Sequence, residues 1–242
     1  TFRVDLHPTL KADYVMANPP FNLKKWGQED LQDDVRWKYG IPPKNNANFA
    51  WMQHMIHHLN PNGKIGLVLA NGSLSSTTGG EGKIRQAIVE DDLVEAIVAL
   101  PTQLFYTTGI PVCLWFLNRN KKQEGKTLFI DAREMGTMVS RKLRELTDED
   151  INIIADTYNK FVEGTLEDEK GFCKVSDIEE IKKHYFILTP GRYVGFKPEE
   201  DDGVPFEEKM ATLTKELGEL FEESNELEGK IRQSLKEIGF EF

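Results

Sequence analysis

Cysteine is nearly absent: Cys113 and Cys173 are the two in 242 residues. Two thiols so far apart set up neither a disulfide framework nor a zinc site, and they suit a reducing cytoplasm. Long hydrophobic runs are missing as well. Nothing approaches a membrane span and no signal peptide opens the chain, so neither a membrane nor an export route is expected. Excess positive charge is the third absence: 30 Lys and Arg face 40 Asp and Glu, for a net charge of −10. A protein that grips DNA alone more often shows a basic face, so any dealings with DNA would need a partner to supply much of the grip. The deficit is uneven. Residues 1–135 carry 15 Lys and Arg against 14 Asp and Glu, whereas residues 136–242 carry 15 against 26. What is present is ample for a core, with 39% hydrophobic residues and 14 Phe. The chain opens at Thr1, without Met and almost directly into a strand, as a fragment of a longer protein would.

The stretch that organises the chain is Ala12-Asp13-Tyr14-Val15-Met16-Ala17-Asn18-Pro19-Pro20-Phe21. Tyr14 to Ala17 is apolar without a polar face, which predicts a strand buried on both sides. Asn18 follows at its carboxyl end, and the two prolines stop pairing and fix the turn. Ligands of open α/β sheets sit at the carboxyl ends of strands. An amide, rigid carbonyls and an aromatic ring are thereby presented at a crevice. That set suits methyl transfer to a planar amine such as that of adenine, whose nitrogen is a poor nucleophile because it is conjugated with its ring. The Asn18 amide oxygen and the Pro19 carbonyl can each accept one hydrogen bond from the amine. Pro19 and Pro20 keep competing N–H donors away, and Phe21 can stack on a base taken out of a duplex. The plainer alternative is a strand end with a Pro-Pro turn and a buried Phe.

Residues 22–46 read as a long loop dotted with Trp26, Trp37 and Tyr39, either anchored by its own aromatics or facing substrate as a lid. Asn46 to Leu59 predicts a helix with Phe49, Met52, Gln53, Ile56 and Leu59 on one face, ended by Pro61-Asn62-Gly63. His54, His57 and His58 share a face of it, but no Cys or acidic residue accompanies them in sequence, so no metal is expected. Strands are expected at Lys64–Ala70, Leu93–Leu100, Pro111–Leu117 and Thr127–Asp131, with a helix over Ile84–Glu90 behind a Gly-rich entry at 78–83. The alternation means parallel crossovers, and the final pair, joined without a helix, is expected to be antiparallel.

Thr147 with Asp150 predicts a capped helix with Ile151, Ile154, Tyr158 and Phe161 on one face, and Ser176 with Glu179 predicts another to about Lys183. Tyr185 to Gly195 reads as extended. The tail repeats Phe206, Met210, Leu213, Leu217, Leu220, Leu227, Ile231 and Ile238 at heptad spacing, with Ser224 and Ser234 in the two remaining seam positions. Either a partner helix covers that seam or the helix folds back on its own domain. Glu199-Glu200-Asp201-Asp202-Gly203 reads as a hinge before it.

Asp13 to Phe21 resembles motif IV of the adenine amino-methyltransferases. The rest is similar to the modification subunit of type I restriction–modification enzymes, through Asn48-Phe49-Ala50-Trp51, Gly66 to Ser73, Leu104-Phe105-Tyr106, Ile110-Pro111-Val112 and Leu188 to Tyr193. The resemblance implies an α/β, Rossmann-like class I methyltransferase fold followed by a helical tail. It places the C-terminal half of the catalytic domain at 1–135, a mixed helical extension at 136–203 and an assembly helix at 204–242. It implies S-adenosylmethionine as cofactor, with the main cofactor loop upstream of Thr1 and no confident cofactor-binding residue here. Asn18, Pro19 and Phe21 would hold the target adenine and Pro20 would shape the turn. DNA, a specificity subunit docked by the tail, a motor–nuclease restriction subunit and a second modification subunit are the implied partners. Two other readings stay open: a methyltransferase of the same motif acting on protein glutamine or RNA, and an assembly module without chemistry. An intact Asn18 speaks against the latter.

Overall fold

Short apolar runs rich in Val, Ile, Leu and Phe fold into one six-stranded sheet, because only paired backbone can be buried that deeply. The computed structural model describes residues 2–197 and 205–240. In chain order the elements are β1 (Ala12–Ala17), α1 (Asn48–His57), β2 (Leu59–Ala70), α2 (Glu81–Glu90), β3 (Val94–Ala99), β4 (Val112–Asn118) and β5 (Lys126–Asp131). They are followed by the hairpin β6 (Thr137–Met138) and β7 (Arg144–Glu145), then α3 (Asp148–Glu163), β8 (Cys173–Asp177), α4 (Ile178–Lys183) and α5 (Phe206–Glu237). Two compact units result, Thr1–Pro198 and Glu199–Phe242. The region after residue 135 contributes β8 to the same sheet as the strands before it. The acidic hinge at 199–203 lies outside the described residues.

The strand order is β1-β2-β4-β3-β5-β8. β1 with β2 and β3 with β5 are parallel, while β4 runs antiparallel between β2 and β3. The carboxyl ends of β1, β2, β3 and β5 therefore share one edge of the sheet. β4 and β5, the strands joined without a helix, do run in opposite directions, but β3 lies between them and they are not partners.

β3 is buried at all six positions, as a run apolar except for Glu95 suits, and Glu95 is buried as an acceptor for Asn118 Nδ2 (2.7 Å) and the Tyr158 hydroxyl (2.5 Å). β1 differs from expectation: Tyr14 is 76% and Met16 is 89% exposed. Strand alternation turns Val15 and Ala17 to the core cluster, and β1 is an edge strand whose other face has no cover among the described residues. Its apolar run thus records two apolar faces, one of them bare here. β2 begins at Leu59, so Pro61-Asn62-Gly63 lies inside a bulged strand rather than beyond a helix end, and α1 is shorter than expected at both ends. α3 carries the expected capping box at Thr147 and Asp150. Its buried face is shifted, with Thr157 and Phe161 inside and Ile151 half exposed. α4 is capped by Asp177, one residue beyond Ser176, because Ser176 is still in β8.

The long loop is anchored by its own aromatics. Trp26 and Trp37 are buried with Phe2, Ala47 and Ala50, and their indole N–H groups donate to Pro43 O (2.9 Å) and Leu31 O (2.6 Å). Gln53 of α1 closes the loop from beneath, accepting from Tyr39 N (2.9 Å) and donating to Gly40 O (2.8 Å). The segment at 185–195 is likewise a turn rather than an extended run. Its Tyr193 ring stacks on Phe129 of β5 at 3.7 Å with the planes 2° apart.

Candidate functional site

Four connections leave the sheet at the shared carboxyl edge: the turn after β1, the turn after β2, the loop 100–111 after β3 and the segment after β5. The first carries the sequence-predicted residues. Asn18 and Pro20 are exposed, Pro19 is buried and Phe21 is half buried. The Asn18 amide makes no hydrogen bond to a described residue, so its full capacity of two donors and an acceptor faces outward. Phe21 meets Phe105 edge to face, with ring centroids 5.7 Å apart at 77°. The turns after β1 and β3 thus touch across the end of the intervening strands, and Tyr106 beside Phe105 is 88% exposed. None of Asn18, Pro19, Pro20 and Phe21 titrates, so the site can act through hydrogen bonding and shape but not by carrying a proton.

Asn48 holds this turn in place, a role that sequence patterning did not reveal. Asn22 directly follows Phe21 and has φ of 53°, a left-handed conformation that Asn tolerates better than most residues. Its N–H donates to Asn48 Oδ1 (3.0 Å), while Asn48 Nδ2 donates to Asn22 Oδ1 (2.9 Å). Asn48 is fully buried at the start of α1 and its own N–H donates to Asn46 Oδ1 (3.1 Å). The block Asn48 to Trp51 is the only sequence signal that pointed here.

The turn after β2 is braced by Arg85, a fully buried residue of α2. It donates to the carbonyls of Phe186 (2.7 Å), Ser76 (2.7 Å) and Ser73 (3.3 Å). Burial lowers the Arg85 pKa and raises that of Glu81, one turn earlier on the helix. Asn71, at the carboxyl end of β2, has a buried Oδ1 without a partner among the described residues, while its N–H donates to Pro111 O (3.1 Å). In the Gly-rich entry to α2, Gly79 answers to packing, since a Cβ there would lie 2.6 Å from Pro43, while Gly80 has open space around it and a φ of 90°.

The histidines lie elsewhere. Asp5 precedes β1 and His58 precedes β2, so their cluster sits at the opposite, amino edge of the sheet. Asp5, His54 and His58 bring their ligand atoms within 4.8 Å of one another, so the acidic companion absent from the local sequence comes from the amino-terminal segment. Hydrogen bonds occupy the group, however. Both ring nitrogens of His58 face oxygen acceptors, Leu10 O (3.0 Å) and Asp5 Oδ2 (2.8 Å), and His54 Nδ1 faces Arg36 (3.1 Å). The arrangement pins the amino-terminal segment onto α1.

The chain as a whole has counterparts among known proteins. The family model described as N-6 DNA Methylase matches residues 1–202. The chain belongs to the N-6 DNA methylase family. Among the methylases it is similar to is the type I restriction enzyme HindI methylase subunit of Haemophilus influenzae, 57% identical over all of this chain and 55% of the relative. The MjaIX methylase subunit of Methanocaldococcus jannaschii is 46% identical over 99% of this chain and 45% of its own length. The chain therefore spans about half the length of the curated relatives it matches. Among solved structures, the type I restriction-modification methyltransferase subunit of Streptococcus thermophilus superposes with a TM-score of 0.73 at 29% identity, over 81% of this chain and 41% of that one. The EcoKI M protein shares the fold, with a TM-score of 0.58 at 22% identity over 96% of this chain and 54% of that one.

Proposed function

We propose that the chain is the base-binding half of an S-adenosylmethionine-dependent methyltransferase that modifies the exocyclic amine of adenine in DNA, as part of a type I modification subunit. The observation that carries this is the free amide of Asn18 at the carboxyl edge, with Pro19 buried behind it and Phe21 set against Phe105. An adenine turned out of its duplex would lay one face on Phe21, with Phe105 as a second wall. Its amine would donate to Asn18 Oδ1 and to the Pro19 carbonyl. Both acceptors push electron density onto the amine nitrogen as it becomes positively charged in the transition state, the preorganised electrostatics that dominate many enzymes. Pro20 fixes the turn so that neither acceptor must reorganise.

S-adenosylmethionine, when bound, supplies an electrophilic methyl group. In the Gly-rich turn before α2, Gly79 is packed against Pro43, and no described residue is given a role towards the cofactor. The roles assigned here to Asn18, Pro19, Pro20 and Phe21 concern the base alone. The family reading extends to the partners: DNA, a specificity subunit on α5, a motor–nuclease subunit and a second modification subunit, all in the cytoplasm. The family match favours DNA over protein glutamine, RNA or a module without chemistry.

The test is Asn18→Ala in the full-length subunit assembled with its partners. Adenine methylation is expected to fall at least a hundredfold, about 2.7 kcal/mol of barrier, by analogy with loss of an oxyanion-hole donor. The melting temperature should stay within a degree or so, because the side chain is exposed and unpaired. Wild-type methylation by the variant would overturn the assignment.

A further inference from the structure

The net charge of −10 hides a local exception around the candidate site. Lys24 and Lys25 follow Phe21 by three and four residues and are exposed, with no ion-pair partner among the described residues. The nearby acids Glu29 and Asp30 are taken up by Lys44 (3.9 Å) and Arg3 (3.6 Å). On the other side stands the hairpin of β6 and β7. Its tip, Ser140-Arg141-Lys142, is shaped by Ser140 Oγ, which accepts from the N–H groups of Lys142 (3.3 Å) and Leu143 (3.1 Å). Arg141 and Lys142 are exposed and likewise without an ion-pair partner among the described residues.

The hairpin is docked on the loop that carries Phe105. Arg144 N donates to Gln103 O (2.8 Å) and Gln103 Nε2 donates to Arg141 O (3.3 Å). From below, Arg144 itself donates to the carbonyls of Met135 and Gly136, both at 3.0 Å. One cationic pair thus belongs to the loop of Phe21, and the other to the hairpin docked on the loop of Phe105, the ring that Phe21 touches. Of the neighbouring basic groups, Arg133 is paired with Asp131 (2.6 Å) and Arg144 is bonded to backbone. The acids of the following helix start, Asp148 to Asp150, are contained in part by the capping box, in which Asp150 is bonded to Thr147.

We propose that Lys24, Lys25, Arg141 and Lys142 form a phosphate-binding collar that grips the DNA backbone on either side of the extruded base. The inference rests on the base-binding reading above and adds the surface that would hold the strand while its base is out of the stack. Free cations gain from releasing condensed counterions when they meet phosphates, whereas paired ones do not. In a chain with a strong overall negative charge, unpaired cations beside the candidate site draw a phosphate backbone towards it.

The experiment uses the full-length subunit in its assembled complex and a fluorescent duplex carrying the recognition site. Affinity is read against salt concentration for wild type, for Arg141→Ala with Lys142→Ala, and for Lys24→Ala with Lys25→Ala. Each double variant is expected to lower the magnitude of the logarithmic salt slope by about 1.8, and to weaken binding on the order of tenfold per contact at 0.1 M salt. Arg141→Lys should keep the wild-type slope, and the preference for the specific site should persist. These side chains are exposed, so the melting temperature should not move. A wild-type slope unchanged in both double variants overturns the collar. A complex that comes apart while its DNA slope is unchanged assigns these cations to a protein partner and overturns it equally. The collar and the base site fail separately: binding is read without catalysis, and Asn18→Ala is read by methyl transfer.

Discussion

Asn22 occupies a backbone region that costs most residues energy, and Asn48 is what makes it affordable. The two reciprocal hydrogen bonds between them satisfy both amides in a place closed to water on the Asn48 side. Asn48→Ala removes both and strands the Asn22 N–H, a loss of about 1–3 kcal/mol in stability. The turn that presents Asn18 and Phe21 then loses its far anchor, so methyl transfer in the full-length subunit should drop by more than the fraction of protein unfolded. Asn48→Asp keeps an acceptor for the Asn22 N–H, and the Asn22 amide can rotate to donate to it. It should therefore recover much of the activity, and activity assays normalised to folded protein by circular dichroism compare the two. At the amino edge, burial pushes the His54 pKa from 6.5 down to about 4, helped by His58 and Arg36. Asp5 opposes that shift, while His57 adds to it. The unfolded chain takes up this proton below pH 6.5 and the folded one near pH 4, so His54 withdraws stability as pH falls between those values. The melting temperature should decline from pH 7 to pH 5, and the decline should be shallower in His54→Gln, whose amide oxygen can still accept from Arg36. Equal slopes in the two proteins would show that His54 is not the responsible group.

At the scale of elements, what the sequence made legible followed from burial. β3 is inside at every position, and its run, apolar except for Glu95, showed it; β4 and β5 were found within a residue or two for the same reason. The capping box of α3 was readable because its two hydrogen bonds join residues three apart. Elements set by distant contacts were less visible. Pro61-Asn62-Gly63 reads locally as a stop, yet pairing with β1 draws Leu59 to Gly63 into a bulged strand. The cap of α4 moved from Ser176 to Asp177 because β5 holds Ser176 in pairing opposite Thr127. β4 inserts between β2 and β3, an order no local pattern encodes. The candidate site divides the same way. Asn18 to Phe21 stood out as a contiguous string, whereas Phe105, Asn48 and the hairpin became part of one place only through contacts far apart in sequence.

On the scale of the whole molecule, the two units differ in what they leave uncovered. The sheet unit buries its large apolar residues in three clusters, the largest built around β2, β3, β4 and the helices. The helix α5, taken by itself, buries none over its 32 residues, a span of about 48 Å. Its seam, interrupted only at Ser224 and Ser234, is open: Leu213 and Leu217 are each 51% exposed, Leu220 60% and Leu227 49%. A heptad stripe with charges on the other faces is the pattern of a helix that pairs, and a bare stripe of this length is rare on soluble monomers. Replacing Leu217 and Leu220 by Asp would place two unpaired charges in the seam, each far costlier to desolvate than the leucine it replaces. If a partner helix covers the seam, co-purification of the double variant with the partner subunits should weaken at least a hundredfold, about 2.7 kcal/mol. The helix keeps its propensity and the sheet unit its clusters, so the melting curve of the variant chain alone should match that of wild type. Undiminished assembly would rule out the seam as the docking face, and a collapsed melting curve would mean that the stripe is needed within this chain instead.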